Sequence, residues 1–176
     1  VSHYQRFIIE TFTELLEDMG DEWVEIPDLA ELIHTHVTKS ALNSMFGPHL
    51  IRLNPDIVHD LWAFVPNVMN LFLGLPRWLL PAAYRLRDKL LDGIMRYYEH
   101  AYENYDTNGP EQDWEEFFGS RFTRTKHMDL WEKFEPMDAK ARAAEELSFL
   151  WAFVSFSRTN RSVREANTEQ VECEFR

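Results

Sequence analysis

The chain has 176 residues, of which 45% are hydrophobic and 14% aromatic, enough to build one domain with a sizeable core and too apolar for intrinsic disorder. Its 30 acidic and 18 basic residues give a net charge of −12, which disfavours a nucleic-acid partner held by phosphate neutralisation. The single cysteine, Cys173, excludes an internal disulfide and a Cys-rich metal site.

Ser2 to Met19 reads as an amphipathic helix with Ile8, Phe12, Leu15, Leu16 and Met19 on one face and Gly20 as its stop. It is not an apolar leader, and a processed, trimmed or partial sequence is expected to begin in this way at Val1. A second helix is predicted from Pro27, a favoured first position, through Leu29, Ile33, Val37, Ala41 and Met45, ending before Gly47-Pro48. Residues 49–53 read as a connector. Asn54-Pro55 then predicts a third helix, with Asn as cap and Pro in the first turn, carrying Ile57, Val58, Leu61, Trp62 and Phe64 as far as Pro66. Residues 67–80 read as short helix or irregular backbone, and a long helix is expected from Pro81 to Tyr105. Asp106 to Gln112 is a loop by composition. One or two short helices broken at Gly119 are predicted over 114–134, and an Ala-rich helix capped by Asp138 runs toward Phe156. From Ser157 onward the chain is polar and aperiodic, and a disordered tail is expected. No run is rich enough in β-branched residues for a sheet. The fold class is all-α.

The most apolar stretch runs from Met45 to Tyr84 and is cut by Pro48, Pro55, Pro66, Pro76 and Pro81. A membrane span needs roughly 20 uninterrupted apolar residues; here Asn67, Asn70 and Arg77 interrupt the run, and prolines would break the backbone ladder. A buried hairpin of helices follows from this, with a cap over a ligand cavity as the sharper alternative. Arg77, Arg85, Arg87, Lys89 and Arg96 alternate with Asp88 and Asp92, as on a solvated helix face.

Two acid-x-x-His pairs fall on predicted helices, Glu31 with His34 and Asp56 with His59. Such pairs, with Glu14 and Glu99 as further carboxylates, are the ingredients of a di-iron bundle. Against this, Asp56 replaces Glu and sits in a first turn, where an acid is ordinary capping electrostatics. His34 and His36 do not share a face, and Cys173 lies between Glu172 and Glu174, which raise a thiol pKa. Nothing assembles a nucleophile with a base.

Three segments in order, MFGPHLIRLNPDIVHDLWAFVPNVMNLFLGLPRWLLPAAYRLRDKLL, DWEEFFGSRFTRT and MDAKARAAEELSFLWA, resemble the cytochrome P-450 family of heme-thiolate monooxygenases, in its fungal sterol- and prostanoid-type branch. The resemblance covers about residues 23–152, a middle section of a full member. It implies a partial cytochrome P-450 helical fold, up to the start of the central heme-crossing helix, with residues 1–156 as one all-α fragment and 157–176 as a tail outside the family. The helices over 54–65 and 81–105 are implied to lie over the substrate cavity, and 66–80 to be their connection, which in membrane-bound members dips toward lipid. Phe64, Leu71, Phe72, Leu75, Trp151 and Ala152 are implied to line that cavity. No catalytic, cofactor-binding or metal-ligating residue is implied in this stretch.

The parent activity implied is oxidation of a lipophilic substrate with O2 and electrons from an NADPH-dependent reductase, at the endoplasmic reticulum membrane, with heme as cofactor. The family holds heme iron with a Cys in an F-x-x-G-x-x-x-C-x-G-like loop and braces the fold with E-x-x-R. Cys173, in VECEFR, matches no such loop, and E-x-x-R is absent. The chain alone is therefore expected neither to bind heme by thiolate ligation nor to be active. Two further readings stay open. One is a non-catalytic helical module binding a lipid or partner at 61–80; the other is the di-iron bundle, which would lose metal on replacing His34 or His59.

Overall fold

The computed structural model describes residues 3–20, 23–106, 112–131 and 137–155. The expected tail from 157, most of the 106–112 loop and the end of the 114–134 helical region lie outside them. The described chain is helical apart from one two-stranded ribbon.

Helix α1 (His3–Met19) packs along α2 (Leu29–Phe46). The line it buries is Phe7 and Thr11 rather than the broader predicted face, and Leu16 is exposed. A helix packed against one neighbour buries only a narrow stripe, and Ser40 Oγ draws that stripe in by donating to the Phe7 carbonyl at 3.2 Å. Helix α2 begins at Asp28, whose carboxylate accepts from the Ala30 and Glu31 N–H groups at 2.8 and 3.0 Å. Pro27 thus stays outside the first turn, because Asp28 with extended backbone fills the cap position.

The expected connector at 49–53 is a helical turn, α3 (His49–Leu53). Asn54 does not cap the next helix, α4 (Ile57–Phe64). Its amide instead donates to the Leu50 and Gly93 carbonyls, each at 3.1 Å, and its oxygen accepts from Arg96 at 3.0 Å. A bracket to a distant helix has displaced the local cap. Pro66 does not end the helical path either: a 3₁₀ turn (Val65–Asn67) leads into α5 (Val68–Phe72), since a proline in a first turn removes no intrahelical bond.

The longest element, α6 (Pro81–Asn104), buries Leu90, Leu91, Ile94, Tyr97, Tyr98 and Ala101 at helical spacing. Lys89 clamps it to α4 through Asp60 at 2.6 Å and Asp56 at 3.3 Å. Where a helix was expected near Trp114, Trp114–Glu115 (β1) pairs antiparallel with Gly119–Ser120 (β2). The Glu115 carboxylate accepts the N–H groups of Phe117, at 2.8 Å, and of Phe118, so the backbone turns instead of coiling. Gly119, at φ +70°, completes the turn, with its Cα against the backbone of Met45 and Gly47. Helix α7 (Arg121–Thr125) follows, capped by Ser120, and continues as a π-helical turn (Lys126–Trp131). The last helix, α8, spans 139–155, with Asp138 accepting from Ala141 N–H at 2.7 Å.

These pieces converge on the end of α2. An α-helix leaves its last four carbonyls without intrahelical partners. Here Asn43 accepts from Gly47 N–H at 3.0 Å, Ser44 from the Trp114 indole at 3.0 Å, Met45 from the Thr123 hydroxyl at 2.7 Å and Phe46 from the Tyr97 hydroxyl at 2.6 Å. Burial keeps the Tyr97 phenol protonated, its pKa well above the usual value.

Tyr97→Phe and Thr123→Val each strip one buried carbonyl of its donor. Each is expected to lower the unfolding free energy by about 1–3 kcal/mol, read from urea unfolding curves. Losses near zero for both would mean that water replaces these donors.

Candidate functional site: an apolar cavity beside the last helix

Helix α8 divides its surface between two tasks. Ala143, Glu146, Leu147, Leu150 and Val154 are buried, while Lys140, Ala144, Ser148 and Trp151 form an adjoining stripe at helical spacing. That stripe faces a cavity of about 340 Å³ whose other wall comes from Phe64 of α4, Val68, Leu71 and Phe72 of α5, and Arg87 and Leu91 of α6. The volume is within the range of small-molecule sites, about 300–1,000 Å³. The rings of Phe72 and Trp151 meet edge to face across it, with centroids 5.9 Å apart.

Of the residues singled out by resemblance, the structure brings Phe64, Leu71, Phe72 and Trp151 to this one cavity. Leu75 lies in the segment after α5, where its carbonyl accepts from Tyr84 at 2.8 Å, and Ala152 is turned off the stripe; neither lines the cavity. Val68, Arg87, Leu91, Lys140, Ala144, Leu147 and Ser148 also line it and were not singled out. For the last four the signal was available in the i, i+4, i+7/8, i+11 spacing that they share with Trp151. The cavity holds no nucleophile poised by a base: the Ser148 hydroxyl donates to its own helix at Ala144, 3.0 Å away.

The buried face of α8 carries a polar cluster. Glu146 accepts from Tyr98 at 2.9 Å and from Lys126 at 3.2 Å, and His127 Nε2 lies 3.6 Å from the same oxygen. Burial alone would raise the Glu146 pKa, but His127, Lys126 and Tyr98 outweigh it and hold the carboxyl below its ordinary value. Burial pushes the His127 pKa from 6.5 down to about 4, against the pull of Glu146. At neutral pH His127 is an uncharged ring packed on Tyr98, with centroids 3.6 Å apart.

The di-iron constellation is not assembled among the described residues. His34 stacks on Trp62 at 5.1 Å, and the His59 side chain is 85% exposed. Asp56 is engaged by Lys89 and Glu14 by Lys39, both at 3.3 Å. No group of three or more His, Cys, Asp or Glu among the described residues could hold a metal ion. Nor is any described helix long and apolar enough to cross a membrane.

Fold and cavity together define a helical segment with a largely apolar cavity. Its sequence is 43% identical over 133 residues to cytochrome P450 monooxygenase fsoE of Humicola fuscoatra, an alignment covering 74% of this chain and 23% of that protein. It is 38% identical over 151 residues to cytochrome P450 monooxygenase efuG of Hormonema carpetanum (85% and 27%), and 33% identical over 119 residues to cytochrome P450 monooxygenase calL of Penicillium decumbens (65% and 22%). No family model matches the chain, and no solved structure matches it significantly. The chain belongs to the cytochrome P-450 family, as a stretch of it, and spans about a quarter of the length of the curated relatives it matches.

Full members of that family carry heme. The described residues contain no cysteine, and Cys173 lies outside them, so the described donor set does not fit a thiolate-ligated heme.

The cluster makes a pH-dependent prediction. An unfolded His takes its proton near 6.5 and folded His127 only near 4, so between those values the unfolded state binds more protons and stability falls as pH falls. The shift is worth about 3 kcal/mol. Urea unfolding at pH 6.5 and pH 4 is expected to show this loss, and His127→Phe is expected to remove most of it. The same acid dependence in the variant would place the titration elsewhere.

Proposed function

We propose that this chain is the substrate-side part of a heme-thiolate monooxygenase that oxidises a lipophilic molecule with O2 and electrons from an NADPH-dependent reductase. The cavity between α4, α5, α6 and α8 receives the substrate's apolar body. The observation that carries this reading is the convergence of Phe64, Leu71, Phe72 and Trp151 on one largely apolar space, in a chain whose relatives are monooxygenases by name. Burying an apolar body there is worth about 25 cal/mol per Å² removed from water.

By itself the polypeptide binds a ligand without oxidising it, because its single cysteine, Cys173, sits between acids and in no heme-ligating loop. Segment 66–80 rests against a bilayer surface at the endoplasmic reticulum, where such substrates dissolve. Exposed Met69, Phe72, Leu73, Trp78 and Leu79 favour that reading, since large apolar side chains gathered on one exposed segment favour contact with another apolar surface.

The test is titration of the purified chain with an uncharged long-chain alkyl fluorophore. Saturable binding is expected, weakened about tenfold by Trp151→Ala and unchanged by Ile9→Ala on the exposed side of α1. Equal effects of the two substitutions would sink the assignment of the cavity. Mixed with heme and reduced under CO, the chain is expected to give no thiolate-type Soret band; such a band would overturn its inactivity.

A further inference from the structure

The cavity is mostly apolar, but partly exposed Arg87 and exposed Lys140 also line it, on its open side. Arg87 is anchored: its guanidinium donates to Asp88 at 2.8 and 3.2 Å and lies 4.7 Å over the Tyr84 ring. Arg77 also pairs with Asp88. The Asp88 pKa is lowered, first by the hydrogen bond from Arg87 and further by the charges of Arg87, Arg77 and Lys140, so Lys140 stands close enough to act on the same carboxylate. One carboxylate therefore serves three cations, in a chain whose net charge is −12. Lys140 is exposed, and beyond its longer-range pull on Asp88 it forms no ion pair within 4 Å among the described residues. The nearest acid along its own helix, Asp138, is turned to cap Ala141.

A local positive excess among the described residues at an apolar pocket, against the sign of the whole molecule, is the complement of an amphiphile with an anionic head. On the reading of the cavity given above, we infer that its ligand bears a carboxylate, with the apolar body along Phe64, Leu71, Phe72 and Trp151 and the carboxylate against Lys140 and Arg87. Arg87 is held in place by Asp88 and Tyr84, so its position is fixed before the ligand arrives. Lys140, on a flexible stem, closes on the carboxylate as a point charge. A charge-assisted contact at a partly open rim is expected to favour acid over uncharged analogue several-fold rather than by orders of magnitude.

The test compares a long-chain fatty acid with its own methyl ester, both below their aggregation concentrations, as competitors for the fluorophore on the full chain. The acid is expected to bind about 5–10-fold more tightly at low salt, with the preference lost in Lys140→Met and kept in Lys140→Arg. Circular dichroism checks that the exposed substitutions leave the fold intact. Equal binding of acid and ester overturns the carboxylate inference while leaving the apolar cavity standing. An acid preference that survives Lys140→Met overturns it as well. Failure of both ligands to compete in a Trp151-dependent way removes the cavity reading itself.

Discussion

The last turn of α2 is the constraint on which the remainder of the structure depends. A buried helix C-terminus leaves carbonyls that must find donors, because an unpaired buried polar group costs about 1–3 kcal/mol. The donors come from sequence positions far apart: Trp114 for Ser44, Thr123 for Met45 and Tyr97 for Phe46. Satisfying them fixes the ribbon, α7 and α6 around one point. Gly119 is part of the same requirement, since any side chain there would strike the backbone at Met45, Phe46 and Gly47. With α6 fixed in this way, its neighbours follow: Asn54 brackets α3 to Gly93, Lys89 clamps α4, and Tyr98 reaches Glu146 on α8.

That last link ties the fold to the cavity. Glu146 sits on the buried face of α8, where Tyr98 and Lys126 hold it at hydrogen-bonding distance. A buried carboxylate with charged and hydroxyl partners is tolerated only in one geometry, and removing a partner is costly. The cluster therefore sets the rotation of α8 about its axis. The rotation turns Lys140, Ala144, Ser148 and Trp151 toward α5, and the cavity is the space left between them. Among the described residues this space holds no nucleophile poised by a base, and its lining is apolar apart from Arg87, Lys140 and Ser148.

The long helices were legible because their periodicity is strong: α1, α2, α6 and α8 lie close to where the apolar spacing puts them. The caps were less so. Asn54-Pro55 carries the local signature of a helix start, yet Asn54 is drawn into a tertiary bracket, and no local pattern encodes Gly93 as its partner. The ribbon at Trp114 was missed for a similar reason, because one carboxylate, Glu115, diverts two N–H groups that a helix would have used. The resemblance implied Phe64, Leu71, Phe72 and Trp151 as lining one cavity, and these four do meet at one, whereas Arg87 read as part of a solvated face. It lines the same cavity as Lys140, more than fifty positions away, and such proximity exists only in the folded chain.

The central claim is that the space between α5 and α8 receives a lipophilic molecule. The most direct measurement is photolabelling of the purified chain with an uncharged aliphatic diazirine, followed by peptide mapping. Labels confined to residues 64–72 and 144–151, and competed away by a long-chain alkane derivative, are the result predicted. Labels spread over the exposed apolar residues of α1, or gathered at 114–125, would contradict it.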